Sequence, residues 1–306
     1  MTATTFAGRR TMAHTARRRA SRIGLHVFLS VLAFIFAWPL IYVLYLSFRH
    51  YGEIVLNLNG PFSLPDNGLS SLSLDNYTYL INNADILSYF WNTVVITVPA
   101  VILTLFISSM VAFAISKYSW KFNLLVLMIF TAGNLLPPQV IVIPLVRLFY
   151  AIPLFPPLSD NGLLYDQTIG VILIHVTFQT GFCVFVLSNY MKTLPKELNE
   201  AAMMDGAGVW TIYSKVILPL CTPAVAALAV LESTWIYNDF FWSLFLFQSG
   251  PKRPITAALN NLNGTYFVDP TQLAALSVMA AIPTVLIYLL LQRFFVRGLT
   301  LGAAKG

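Results

Sequence analysis

Charge is what this sequence has least of: Asp, Glu, Lys and Arg together make up 10% of its 306 residues, where a soluble domain carries about 25%. That shortage excludes an ordinary water-soluble globular protein, because a chain so apolar cannot hide its surface in a single core. Cysteine is nearly absent too. Cys183 and Cys221 both lie inside apolar runs, so there is no disulfide framework and no Cys/His set at zinc spacing. The chain has neither a G-x-x-x-x-G-K phosphate loop nor a G-x-G-x-x-G turn and binds no nucleotide by a recognisable route. If ATP drives it, another chain supplies the ATP. G-x-S-x-G and H-E-x-x-H are missing as well, which leaves no nucleophile or metal-ligand arrangement for catalysis. Of the four histidines only His175 lies deep in an apolar stretch.

Hydrophobic residues make up 58% of the chain, with 23 Phe, 14 Tyr and 6 Trp. Six stretches are long enough to cross a bilayer, which takes about 20 residues. They run over 23–48, 88–115, 122–149, 167–190, 219–247 and 271–295. The first is too long for a secretory signal, whose apolar core is about 7–15 residues, and it ends in aromatics rather than a small-residue cleavage site. The expected fold is an all-α membrane protein with six transmembrane helices. Residues 1–22 form a basic tail with Arg9, Arg10, Arg17, Arg18, Arg19 and Arg22, read as a disordered arm near anionic lipid; nothing aromatic or structural points to nucleic acid. With this tail in the cytoplasm, fourteen of the 18 Lys and Arg residues fall inside and seven of the 12 acids outside. The positive-inside rule therefore places both termini in the cytoplasm. The plan then has an extracytoplasmic loop at 49–87, a transmembrane core at 88–295 with a cytoplasmic loop at 191–218 between the fourth and fifth spans, and a cytoplasmic tail at 296–306. The 49–87 loop, rich in Asn, Ser, Gly and Pro, suits a spacer or a docking surface for an extracytoplasmic partner.

The 191–218 loop is the most patterned segment. Pro195 and Glu197 suit the start of a helix, the first because its missing N–H costs nothing there and the second because the helix end is positive. Leu198, Ala201, Ala202 and Asp205 recur at i, i+3, i+4 and i+7, giving one face small enough for another protein's backbone to come close. Asp205-Gly206 reads as a turn. A second helix from Val209 to Ile217 carries Trp210, Tyr213 and Ile217 on one face before Pro219 opens the fifth span. On periodicity alone, an amphipathic loop lying on the inner leaflet fits at least as well.

The order Glu200-Ala201-Ala202, three residues, Gly206, nine residues, Val216, then Leu218-Pro219 resembles the EAA loop of ATP-binding-cassette importer permeases, with Val216 where Ile is usual. The longer run from Pro195-Lys196-Glu197-Leu198 through Asp205-Gly206-Ala207 is similar to the maltose-type carbohydrate permeases. So are Asn92-Thr93, Leu136-Pro137-Pro138-Gln139, Asn238-Asp239-Phe240 and the stretch from Gln292 to Thr300, in that order. The resemblance implies a multi-pass protein of a bacterial inner membrane, the permease subunit of a binding-protein-dependent importer of sugar, oligosaccharide foremost. It implies a second permease subunit, two ATP-binding-cassette ATPase subunits and an extracytoplasmic solute-binding protein as partners. Glu200, Ala201, Ala202, Asp205, Gly206, Leu218 and Pro219 are then the ATPase-coupling residues, with Glu200 meeting a basic group in the ATPase cleft. No cofactor is implied in this chain, ATP and Mg being bound by the partner ATPase subunits.

Glu232 falls near the middle of the fifth span and Asp239 about two turns further on. A central acid costs roughly 2.5–3.5 kcal/mol on insertion scales, against about 0.3–0.6 returned by a Leu or Phe, so both should face protein or water. Glu232, Trp235, Asp239 and Trp242 lie at i, i+3, i+7 and i+10, one stripe of acids and aromatics. Such a stripe suits the lining of a sugar path and equally the joining of spans to one another. Asn238 sits beside it, and Tyr237 stands where the family usually has Trp. His175, Gln179, Phe182, Val186 and Asn189 form a second stripe in the fourth span. In the third, Gly133, Asn134, Pro137, Pro138, Gln139 and Pro144 predict a broken helix. The candidates for a translocation path are thus Gln139, His175, Gln179, Glu232, Trp235, Asn238, Asp239 and Trp242. An ion-coupled secondary transporter would also use intramembrane acids and broken helices, but no inverted pair of broken spans repeats between the halves.

Overall fold

The structure, a computed structural model, describes residues 4–56, 72–259 and 269–303, with side chains within 21–54, 72–134, 136–259 and 269–289. The middle of the 49–87 loop, read above as spacer or docking surface, lies outside the described residues. Helix dominates, as it must where hydrocarbon offers the backbone no hydrogen bonds. Among the described residues there is no strand, and one isolated antiparallel bridge joins Pro153 and Leu163. The chain divides into two compact units, Met1–Thr78 with Asp269–Val278, and Tyr79–Val268 with Met279–Gly306.

The first unit holds α1 (Thr4–Ser47), α2 (Tyr51–Leu56) and the beginnings of α3 (Asp75–Asn83) and, late in the chain, of Pro270–Ala303. The basic tail is not a disordered arm: α1 starts at Thr4, and Ala13, Ala16, Arg17, Arg18, Arg19 and Ala20 within it are strong helix formers. Two buried polar side chains tie this unit together. Asn76 donates to the carbonyls of Ser47 (3.0 Å) and Arg49 (2.9 Å) and accepts from Thr271 Oγ1. The fully buried Arg49 lies 3.5 Å from Glu53 and over the Tyr45 ring.

In the second unit α4 (Ile86–Lys117) packs along α7 (Thr168–Thr193). Between them in sequence, the third apolar stretch is broken as its Gly and Pro content predicts. It forms α5 (Asn123–Ala132), a 3-10 turn at Gly133–Leu135, an extended Leu136-Pro137 and α6 (Pro138–Ala151). What allows α5 to sit on α7 is Gly181: a Cβ there would fall 1.9 Å from the Phe130 carbonyl and 2.3 Å from Asn134 Nδ2. After α7 come α8 (Glu197–Met204), α9 (Val209–Thr211), a π-helical stretch at Ile212–Ile217, α10 (Leu218–Leu220), α11 (Thr222–Tyr237), α12 (Phe241–Leu246), α13 (Ile255–Ala258) and α14 (Pro270–Ala303).

Among the described residues four helices are long and apolar enough to cross a membrane: Ser21–Ser47, Ile86–Lys117, Thr168–Thr193 and Pro270–Leu289. Val209–Leu220 with Thr222–Tyr237, bent by 74° at Cys221, makes a fifth if the pair is one span. The two halves of the third stretch are each too short alone. The fifth stretch, read from the sequence as one continuous helix over 219–247, is interrupted twice, at Cys221 and at 238–240.

Side chains also clip the loop before α7 to the segment before α13. Asp166 accepts from the Gln248 and Ser249 amides (2.9 and 3.0 Å) and from Ser249 Oγ. Lys252 reaches Asp160 at 2.7 Å, and Gln167 donates to the same carboxylate. Asn92 holds the carbonyls of Pro251 and Arg253, and Thr93 Oγ1 accepts from the Ile255 amide. The hydrogen bond from Lys252, then that from Gln167, hold the Asp160 carboxyl at about 2, below its ordinary 3.8.

Gly181→Ala is expected to destabilise by at least about 1–3 kcal/mol, the cost of overpacking against backbone that cannot step aside. A lower unfolding temperature of the purified protein in detergent would show it. Because protonating Asp160 loses its bonds, their contribution is whole above pH 3.8 and fades as the pH falls toward about 2. Over that interval the wild type should lose thermal stability more steeply than Asp160→Asn, and parallel acid profiles would contradict the assignment.

Candidate functional site

The residues singled out in the sequence fall into two places. The first is the 191–218 loop. α8 begins at Glu197, with both Glu197 and Glu200 in its first turn, where carboxylates favour the positive helix end. It stops at Gly206, whose φ of +77° only glycine adopts freely. The Gly206 amide bonds the Met203 carbonyl and the Ala207 amide bonds the Ala202 carbonyl, the double closure that ends a helix on a left-handed residue. Glu200, Ala201, Asp205 and Gly206 are exposed and Ala202 is half-buried, while Asn199 turns inward. Around them Met204 is 87% exposed, with Met203, Val209 and Trp210 also open. No atom of the chain lies within 4 Å of a Cβ built on Gly206. Ala201, Asp205 and Gly206 are therefore open to something from outside the chain, whereas Ala202 packs against the chain's own apolar cluster.

Beyond the turn, the second helix departs from the sequence reading. It becomes π-helical at Ile212–Ile217, and the buried face is Ile212, Tyr213 and Ile217. Trp210 stays outside, with its ring 5.2 Å from that of Tyr213. Tyr213 in turn packs on Phe113 of α4 and shares a 2.8 Å hydrogen bond with Ser109. Sequence reasoning placed Tyr213 on a helix face but missed Ser109, for which no spacing signal exists. Leu218 is half-buried and Pro219 exposed at the head of α10.

The second place is where α7 faces α11 and α12. The single stripe expected from Glu232 to Trp242 does not persist, because α11 ends at Tyr237 and Asp239 serves as a forward cap of α12. Asp239 accepts from the Trp242 and Ser243 amides (3.2 and 3.1 Å) and from Ser243 Oγ. Asn238 turns back to the Thr234 carbonyl. The break brings Asp239 beside His175, with Nε2 to Oδ2 at 3.6 Å and both side chains almost closed to solvent. That separation is long for a hydrogen bond but suits an ion pair when the imidazole is protonated. Glu232 is fully buried and accepts from Cys183 Sγ at 3.2 Å.

Aromatic rings divide in the same way. Trp242 is buried against Phe178, whereas Trp235 is 45% exposed and lies 5.4 Å from Phe182. Gln139 opens α6 and is exposed, as is Asn238; Gln179 is half-buried. In this conformation Trp235, Gln139 and Asn238 are exposed, whereas Glu232, His175 and Trp242 are buried. Among the described residues no cluster of His, Cys, Asp and Glu has the makings of a metal site.

Comparison with known proteins adds four findings. Residues 104–300 match the family described as binding-protein-dependent transport system inner membrane component. The chain is similar to the arabinooligosaccharides transport system permease protein AraQ of Bacillus subtilis (strain 168), at 29% identity over 96% of this chain and 99% of that protein. It is likewise similar to the diacetylchitobiose uptake system permease protein NgcG of Streptomyces coelicolor, at 32% identity over 92% of this chain and 88% of that protein. In fold it matches a chain in the crystal structure of a bacterial ABC transporter involved in import of the acidic polysaccharide alginate. There the TM-score is 0.74 at 23% identity, over 90% of this chain and 97% of that one.

Removing the Asp239 cap tests the geometry of the second place. Asp239→Ala should cost about 1–2 kcal/mol, while Asp239→Asn, which keeps an acceptor for an α12 amide, should cost less. Thermal unfolding in detergent ranks the two, and equal losses would mean that the cap is not what the acid contributes.

Proposed function

As the chain belongs to the family of binding-protein-dependent transport system inner membrane components, we propose that it is the permease subunit of an ATP-driven importer that takes up a sugar, oligosaccharide foremost. The observation that carries this reading is α8 and its Gly206 turn, an open face of small and apolar side chains inside the matched region. A turn that shows Met203 and Met204 of α8 and Val209 and Trp210 of α9 to solvent needs a partner. In this reading the partner is an ATPase subunit, with Glu200 meeting a basic group there and Ala201, Ala202 and Gly206 permitting close approach. Asp205, Leu218 and Pro219 complete the coupling set. The printed functions of AraQ and NgcG support a sugar as the solute.

The six-span plan holds in this reading if α5 and α6 together form the third span and α10–α12 the bent fifth. The fourteen basic residues on one side then put both termini and the 191–218 loop in the cytoplasm. A second permease subunit completes the pathway, two ATPase subunits bind the ATP and Mg, and an extracytoplasmic solute-binding protein delivers the sugar. ATP binding closes the ATPase pair, the α8 helices follow, and the spans exchange inward-facing for outward-facing access. Trp235 and Phe182 offer a ring surface for the apolar face of a sugar, and Gln139 and Asn238 offer polar contacts. Glu232, His175, Asp239 and Trp242 reach the path only after the spans rearrange. The family match favours this reading over ion-coupled transport by the buried acids.

Gly206→Asp tests it cleanly. Asp tolerates the left-handed backbone better than most residues, and nothing in the chain stands within 4 Å. The variant should insert and fold, yet fail to retain the ATPase subunits in a mild-detergent pull-down and fail to drive uptake. Retention of the ATPase at wild-type level with normal uptake would remove the docking assignment.

A further inference from the structure

The loop at 191–218 meets the rest of the second unit by two routes. One is axial, along the chain through α10 into α11. This route has a joint: α10 is three residues long, the axis turns by 74° at Cys221, and the Cys221 amide is shared between the Ile217 and Leu218 carbonyls. A short helix ending in such a bend is a poor strut. The other route is lateral, and it is closely packed. Ile212, Tyr213 and Ile217 are 1%, 3% and 0% exposed, buried in one cluster with Ala112 and Phe113 of α4 and Leu187 and Met191 of α7, which Cys221, Ala224 and Leu228 join from beyond the bend.

The π stretch widens the lateral contact, since Tyr213 and Ile217, four residues apart, would share a face in an ordinary helix and Ile212 would not. In an α-helix, at about 100° per residue, Ile217 would stand roughly 140° away from Ile212. The wider turn, bonded i to i+5, brings it back over Ile212, so that both flank Tyr213 on one face. Tyr213 then links the open face of the loop to α4. Its ring lies 5.2 Å from the exposed Trp210 on one side and 5.4 Å from Phe113 on the other. Its hydroxyl meets Ser109 at 2.8 Å, and because Ser109 directs its own proton to the Phe106 carbonyl, Tyr213 is the donor. A second tie runs from Lys117 Nζ at the end of α4 to the Leu194 carbonyl at the start of the loop.

We propose that movement of the loop enters the membrane domain sideways, through the hydrogen bond and ring contact of Tyr213 with Ser109 and Phe113 on α4, and not along the α10–α11 axis. Tyr213 is thus a positioning residue that acts through α4. The inference rests on the reading of the loop as the ATPase dock, and its test separates the two.

The full complex, purified with its ATPase subunits, is compared with and without AMP-PNP by hydrogen exchange of residues 197–206 and 109–117, alongside its ATP hydrolysis rate. In the wild type the nucleotide should alter exchange in both segments. Tyr213→Phe keeps the ring and removes only the bond. It should retain hydrolysis and the response at 197–206 but lose about fivefold in the response at 109–117, the factor that one hydrogen bond of typical net strength represents. Ser109→Ala, cutting the same bond from the other side, should reproduce that loss. Thr222→Gly, which loosens the axial joint, should leave both responses intact. A full response at 109–117 in Tyr213→Phe, or its loss in Thr222→Gly, would overturn the lateral route. If the wild-type complex shows no response at 197–206, the docking reading itself fails and the inference with it.

Discussion

Hydrocarbon offers a backbone group no hydrogen bond, and each place where a helix stops inside an apolar stretch must therefore bring its own partners. The second unit meets that demand locally at three of its breaks. Below the 3-10 turn at Gly133–Leu135, Asn134 reaches back toward the Phe130 carbonyl and Thr131 toward that of Leu127. At Cys221 one amide serves two carbonyls. At 238–240 Asn238 takes the Thr234 carbonyl, Asp239 caps the next helix, and Thr256 Oγ1 donates to the Asp239 carbonyl. Polar residues at breaks are thus engaged with the backbone before any solute arrives. This is why Asp239, which composition and spacing present as a lining residue, is held at a helix start. Gln139 at the head of α6 and the open face of Trp235 stand outside that demand.

The same constraint explains what could be read from the sequence and what could not. The apolar stretches were legible because hydropathy is a sum over about 20 residues and tolerates local irregularity. The break in the third stretch was legible because Gly133, Pro137 and Pro138 each remove a reason for helix to continue. The break at 238–240 carries neither Gly nor Pro. There the aromatic run after Asp239 preserves helical spacing on paper, and what stops the helix is an acid bonding forward to two amides. A carboxylate three residues before Trp242 and four before Ser243 was the available signal, overshadowed by the apolar run. The Gly206 turn was legible as Asp-Gly, since a left-handed residue is a local property. The π turn was not, because it depends on what the helix packs against.

Pairings across long sequence separations left no mark at all. Asp166 with the 248–249 amides, Ser109 with Tyr213 and Cys183 with Glu232 each join residues whose spacing carries no period. Each depends on α4, α7 and the later helices having already been brought side by side. Side-chain chemistry could nominate such residues but could not pair them. His175 and Asp239 illustrate the limit: they belonged to separate stripes in the sequence, and a helix break that was not foreseen is what sets them 3.6 Å apart.

Packing in the second unit falls into two apolar clusters, and their boundary has a physical consequence. One cluster gathers Ile96, Val142, Val171, Ile236, Trp242 and their neighbours; the other gathers Phe113, Leu187, Ile212, Tyr213 and Leu228. Along α11, Glu232 stands between Leu228 of the second cluster and Ile236 of the first. Around that level Thr104, Ser108, Thr180 and Cys183 are also buried, and Ser108 bonds the Thr104 and Thr180 carbonyls. Interdigitated apolar side chains resist shear, because any slip opens voids or forces overlap. Small hydroxyls bonded to helix carbonyls present smoother surfaces, and their bonds can be exchanged one for another. At the Glu232 level close packing thus gives way to hydrogen bonds. Helices α4 and α7 run through both clusters and tie them together, and the 191–218 loop joins the second through Tyr213.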